Sequence, residues 1–539
     1  MLGTHAGLLR SSASLVLRRA ATAAAPPPPP LLRLGARAGV RGSVHGSSLD
    51  SAQAAPPSGG RRGSMSEAKR RRVAATAGAG GADGADAGSG TSYSVGSSFK
   101  VPGLIATDHV LRVPLDYSGR APGEITVFVR ELVSPTNVRR SLPAILYLQG
   151  GPGFESPRPC EASGWIKSAS NNFRVLLMDP RGTGLSSQIS VKNLAKAGGP
   201  KEQARYLSYF RADSIVRDAE RVRLALVPKS SNDGRWTILG QSFGGFCAMT
   251  YLSIAPHGLT DALLTGGVPP AVADACPAER TYRSLYKRVL LQNARYYARF
   301  PDDVALAQRI VRYLAAQPGG GPLLPCGARL TPRAFQLLGL SGLGSSGGLE
   351  RLHYLLESFF DADGDMSPFF ARSFEGWMPW ETNPIYALLH EAIYCQGAAS
   401  NWAAHRVREA EFAAEFDAVG SAAKGEPVNF TGEMVYPWMF EDFAALRPFA
   451  AAANLLAAKA DWGRLYDVEV LHSNDVAVAA ALYLEDMYVD YDLAQETVAH
   501  VRGLRQWVTN EYKHSGIRDD GARILDRLLG MARDTVLLE

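Results

Sequence analysis

A serine set between glycines, Gly240-Gln241-Ser242-Phe243-Gly244, is the stretch of this chain richest in potential chemistry. In a G-x-S-x-G stretch the serine can occupy a sharp strand-to-helix turn that presents its hydroxyl as a nucleophile. A hydroxyl attacks a carbonyl only when a base removes its proton, so a histidine and a carboxylate should follow. The pattern recurs at Gly344-Ser345-Ser346-Gly347-Gly348 with no β-type run before it, and this second match reads as a loop. Around Ser242 the context differs. WTILG (236–240) reads as a strand, and residues 246–252 continue as a helix. Small residues at 240, 244 and 245 suit a strained turn in which neighbouring Cβ atoms would collide.

Of ten histidines, seven lie after Ser242. His353, His390 and His405 fall in a helix-rich middle segment, and His500 falls in an amphipathic helical run. His514, in NEYKHSGIRDDG, lies between the last strand-like run and the last helix, at the carboxyl edge expected of a base. For the acid, LYLED ends a strand-like run at Asp486, with Asp490 as second choice and Glu485 as third. Charge on a tetrahedral intermediate needs backbone N–H donors. The spacing assigns one to Phe243, directly after the nucleophile, and another to the glycine loop QGGPGFE (149–155).

The elements that must position these groups follow from hydrophobic pattern. HVLRVPLDY and EITVFVREL alternate apolar and polar residues and predict an antiparallel hairpin. LPAILYL (142–148), FRVLLMD (173–179), WTILG and DALLTGG (261–267) do not alternate, as expected of strands buried on both faces of a parallel sheet. Ile215, Val216, Ala219, Val222 and Leu226 repeat at helical spacing between two of them, which is βαβ grammar. About 200 residues rich in helix formers follow, including VREAEFAAEF, before strand character returns in DVAVAAALYLEDMYVD. A helical run through ETVAHVRGLRQW and a short extended run VTNEYKHSG lead to the last helix. The pattern predicts an α/β core at 99–270 and 465–539, split between its sixth and seventh strands by a mostly helical cap at 271–464.

Residues 1–98 read as outside the fold: a transit peptide and a disordered linker. The first thirty residues carry Arg10, Arg18 and Arg19 and no acid, the composition of a chloroplast or mitochondrial leader. Translation from Met65 would instead give a cytoplasmic protein. Residues 1–99 hold twelve Lys/Arg against four Asp/Glu, whereas the remainder holds 45 against 48. The net charge of +5 therefore comes from the tail, and no nucleic-acid partner is expected of the body. No apolar run approaches the 18 residues of a membrane span. Five scattered cysteines without C-x-x-C suggest neither a disulfide framework nor a metal site. MDPRGTGLSS lacks the third glycine of a dinucleotide loop, so no cofactor is expected. Oligomeric state leaves no mark in the sequence.

With QGGPGFE, MDPRGTGLSS, GQSFGG, LEDMYVD and YKHSG in place, the core resembles the proline iminopeptidase family of α/β-hydrolase serine peptidases. The resemblance implies an α/β-hydrolase fold with a large inserted helical cap, and Ser242, Asp486 and His514 as nucleophile, acid and base. It also implies Gly151 as the loop donor of the oxyanion hole, and Glu391, with Glu433 as a second match, as carboxylates that bind the terminal amine of a short peptide. The chain departs from the family in carrying Gln149 where a histidine usually precedes GGPG, and LYLED where G-x-x-D usually leads to the acid. Two other readings use the same fold. An esterase needs the triad without an amine-binding carboxylate, and a non-catalytic receptor can retain the triad without turnover.

Overall fold

The computed structural model describes residues 92–272 and 275–536. Nine strands form one mixed sheet: β1 (Tyr93–Val101), β2 (Leu104–Pro114), β3 (Glu124–Val133), β4 (Ala144–Leu148), β5 (Arg174–Met178), β6 (Trp236–Gln241), β7 (Leu259–Thr265), β8 (Ala477–Tyr483) and β9 (Leu504–Thr509). Their order is β1-β2-β3-β5-β4-β6-β7-β8-β9. The β1, β2 and β3 strands pair antiparallel with one another and onto β5, and every pairing from β5 to β9 is parallel.

The unalternating runs behave as their composition predicts. Every residue of β4 and β6 is buried. Successive residues of β4 face opposite sides: Ile145 and Tyr147 join a core with Trp165, Ile524 and Leu528, while Leu146 and Leu148 join the core of Ile215, Val222 and Phe246. Helices Gly164–Ser170 and Gly521–Ala532 thus cover one face, and Ala212–Leu226 and Phe243–Ile254 cover the other.

Three expectations change. Tyr93 to Ser98, assigned above to the disordered linker, belong to β1. This strand is exposed along nearly its whole length, so no buried face imprints a pattern on it. Its backbone ladder to β2 holds it, with Tyr93 Oη 2.9 Å from His109 Nδ1. Residues 1–91, with the expected leader, lie outside the described residues. β9 occupies LRQWVT, part of which reads as helix from sequence because Arg505 and Gln506 interrupt the strand pattern. VREAEFAAEF is helical only to Glu411. Because β1 adds a strand, the helical insertion falls between β7 and β8.

Among the described residues no named strand lies between Thr265 and Ala477; that segment runs through helices beginning with Ala278–Arg299. Its apolar side chains join the core on one sheet face, and the buried Arg211 donates to the Ala392 carbonyl (3.0 Å), tying the insertion to the sheet. Among the described residues no helix is long and apolar enough to cross a membrane.

Candidate active site

β6 ends at Gln241 and the next helix begins at Phe243, so Ser242 alone makes the turn. Its φ of 57° and ψ of −126° lie where side-chain-bearing residues are rare. The turn is held by Ser242 N–H donating to the Thr265 carbonyl (3.1 Å) and by Gly245 N–H donating to the Ser242 carbonyl (2.7 Å). Glycine is obligatory at 244, where a Cβ would lie 1.8 Å from the Leu148 carbonyl oxygen. The close approach of helix and β4 end is what the small residue permits.

His514 Nε2 lies 2.9 Å from Ser242 Oγ, and His514 Nδ1 lies 2.6 Å from Asp486 Oδ2. Asp486 is 1% exposed, and its other oxygen accepts the N–H groups of Tyr488 (2.8 Å) and Val489 (3.1 Å). An ionised carboxylate only accepts, so Nδ1 carries the imidazole proton and Nε2 is left to accept from the serine. The Tyr488 ring lies against the imidazole with centroids 4.5 Å apart. The other two acids are engaged elsewhere. Asp490 caps helix Tyr491–Val498 and pairs with Arg288, and Glu485 pairs with Arg295.

Phe243 is the first residue of its helix, so its N–H has no intrahelical acceptor. Gly151, at a φ of 127°, lines the cleft beside Gln149, Gly150 and Ser242, and its N–H has no backbone acceptor among the described residues. Behind this loop, Asp179 takes the Ser156 N–H (3.0 Å) and the Leu185 N–H (2.8 Å), and Arg181 pairs with the fully buried Asp218. The D-x-R-G-x-G-x-S stretch therefore braces the glycine loop against the end of β5.

Ser242 opens into a cleft of about 550 Å³ whose wall includes Phe154, Trp377, Tyr386, Glu433 and Tyr488. The Glu433 side chain is 12% exposed and accepts from Tyr386 Oη (2.6 Å). Burial pushes its carboxyl up to about 7, with the His514 side chain acting in the opposite sense. Its nearest basic neighbour, His390, is 4.0 Å away, and burial holds that imidazole down to about 4. Among the described residues no lysine or arginine pairs with Glu433, so the carboxylate is available to a ligand's cation.

The two glutamates part company here. Glu391 does not line the cleft; its oxygens accept from Ala403 N–H (3.0 Å) and Ala404 N–H (2.9 Å). It caps helix Ala403–Glu411, whose N-cap residue Trp402 has no capping side chain. Of the two expected amine-binding carboxylates, Glu433 thus lines the cleft and Glu391 lies outside it. Of the tryptophans and tyrosines rich in this segment, Trp377 reaches the cleft, while Tyr436 and Trp438 stack on each other inside the insertion. Tyr386, which holds Glu433, and Tyr488, which packs on His514, carry no spacing signal in the sequence. Among the described residues no cluster of His, Cys, Asp and Glu is arranged to hold a metal.

The family model for the alpha/beta hydrolase fold matches residues 143–306. The chain is 48% identical over 437 residues to a proline iminopeptidase of Aeromonas sobria, covering 81% of this chain and 98% of the relative. It is 36% identical over 430 residues to a proline iminopeptidase of Aspergillus aculeatus, covering 79% and 93% of the two chains. Among solved structures, a proline iminopeptidase of Mycobacterium smegmatis overlays with a TM-score of 0.37 at 13% identity, over 79% of this chain and 99% of that one.

Proposed function

Because this chain belongs to the proline iminopeptidase family, we propose that it is a serine aminopeptidase that releases N-terminal residues, proline foremost, from short peptides through an acyl-enzyme. The observation that carries the reading is the Ser242–His514–Asp486 relay opening on the same cleft as an unpaired Glu433 carboxylate.

His514 Nε2 takes the Ser242 hydroxyl proton as Oγ attacks the carbonyl of the first residue. Asp486 stabilises the resulting imidazolium and fixes its orientation. The oxyanion is met by the N–H groups of Phe243 and Gly151, donors already in place before charge develops. His514 then protonates the departing amine, the carbon–nitrogen bond breaks, and proline is left as an ester on Ser242. Water, deprotonated by His514, attacks that ester and returns the serine.

Glu433 supplies what an esterase does not need. The secondary ammonium of an N-terminal proline carries charge and N–H donors, and a partly dry carboxylate held by Tyr386 matches both. A blocked N-terminus has neither.

The test is hydrolysis of proline β-naphthylamide, its N-acetylated form and a simple ester. Turnover of the free amine with no turnover of the acetylated one supports the aminopeptidase. Equal rates on both would leave a general esterase or amidase.

A further inference from the structure

The cleft wall carries charge of both signs. Glu433 supplies a negative group, and the rest of the wall includes two arginines, Arg351 and Arg518. Arg518 stands four residues beyond His514 on the short helix Gly516–Asp519, and its guanidinium forms no ion pair or hydrogen bond with the described residues. Arg351, in helix Gly348–Glu357, spends one nitrogen on the Ser345 hydroxyl (2.8 Å) and pairs with no carboxylate among the described residues. Asp519 shares this part of the wall, but its Oδ2 already accepts the Ser346 and Ser515 hydroxyls, each at 2.6 Å. The two guanidiniums and the one carboxylate beside them leave this part of the wall a net charge of +1. Tyr488, packed on His514, lies within the fields of both signs. Burial pushes its hydroxyl up, Glu433 and Asp486 push it further, and Arg518 and Arg351 pull it back.

We propose that Arg518 and Arg351 bind the C-terminal carboxylate of the substrate, making di- and tripeptides the preferred substrates of this cleft. The inference rests on the aminopeptidase reading above. With the N-terminal ammonium at Glu433 and the scissile carbonyl at Ser242, the leaving peptide extends along the remaining wall. Each added residue carries its carboxylate outward by at most about 3.3–3.6 Å. An arginine rooted four residues from the base suits a carboxylate one or two residues past the cut, and longer chains carry theirs beyond it. Guanidinium suits the task because its planar fork meets a carboxylate with two parallel hydrogen bonds.

The discriminating substrates are Pro-Ala and Pro-Ala-NH2, which differ only in the terminal charge, with proline β-naphthylamide as a reference that has no carboxylate. For the wild-type enzyme KM should be at least about tenfold lower for Pro-Ala than for its amide, a gap that narrows with added salt. In the Arg351→Gln/Arg518→Gln double variant the ratio of the two KM values should fall to about one, while the kcat ratio holds. Reading a ratio removes any general damage from the substitutions. Equal KM values in the wild type, or a ratio untouched in the double variant, would overturn the inference while naphthylamide turnover leaves the aminopeptidase standing. If no proline substrate turns over, both readings fall together.

Discussion

Two turns of this chain share the pattern G-x-S-x-G, and both lie along one cleft. Ser242 sits between a buried parallel strand and a buried helix, forced to positive φ, with its hydroxyl on an imidazole. Ser346 sits in a surface loop of the insertion, and its hydroxyl donates to Asp519. The first serine is placed by packing it cannot escape: the glycine beside it has a carbonyl where a Cβ would be. The second is held by hydrogen bonds to a neighbouring exposed turn. The pattern of residues is the same, and the difference in chemistry arises from what surrounds each turn.

Substitution should widen that contrast. Ser242→Ala should cost about 10⁶-fold in kcat on proline β-naphthylamide, the scale of losing a triad nucleophile. Ser346→Ala should cost no more than a few-fold, and a loss approaching that of Ser242→Ala would end the comparison. Asp486→Asn should lower kcat by about 10⁴-fold by disturbing the imidazole tautomer, with little change in KM. Asp490→Asn should act through stability instead, since it removes the charge paired with Arg288 while an asparagine still caps the helix.

Glu433 and Glu391 extend the contrast to a second pair of like residues. Glu433→Gln should lower kcat/KM for proline β-naphthylamide by about 10- to 100-fold, the worth of a hydrogen bond to a charged group. Because the Glu433 carboxyl stands at about 7, wild-type kcat/KM should rise as pH rises through that value, and the Gln variant should flatten this limb. Stability runs the other way. Between the ordinary carboxyl value near 4.5 and about 7 the folded protein keeps a proton that the unfolded chain releases. Its contribution is complete below 4.5 and is lost as pH rises through 7. Thermal melts at pH 5 and pH 8 should show this slope in the wild type and less of it in Glu433→Gln. The smallest effect belongs to Glu391→Gln. It should lower stability by about 0.5–2 kcal/mol, since the amide keeps only one of the two acceptors on the helix end, with KM for proline β-naphthylamide held.

Sequence reveals those parts whose surroundings imprint a pattern. β4 to β8 are legible because burial on both faces demands unbroken apolar runs; Ser242 and Asp486 are legible because each follows such a run, and His514 because it lies between the last strand-like run and the last helix. β1 is illegible because it buries nothing, and the first half of β9 because Arg505 and Gln506 break its apolar run. Glu391 and Glu433 both sit in helix-rich segments, and the tertiary placement of Ala403 decides which one is consumed as a cap. Arg518 and Arg351 belong to elements 167 positions apart in numbering and meet only across the folded cleft.

The insertion between β7 and β8 also sets an order of manufacture. A growing chain delivers the Ser242 hydroxyl 272 residues before the His514 imidazole. For most of that interval the strain at the turn has no base to exploit it, and the open edge of β7 lacks the β8 partner that will cover it. Hydrolytic competence is thus withheld until the final strands emerge and deliver the base, so no peptide-cutting serine is active beside the ribosome while this chain is still being made.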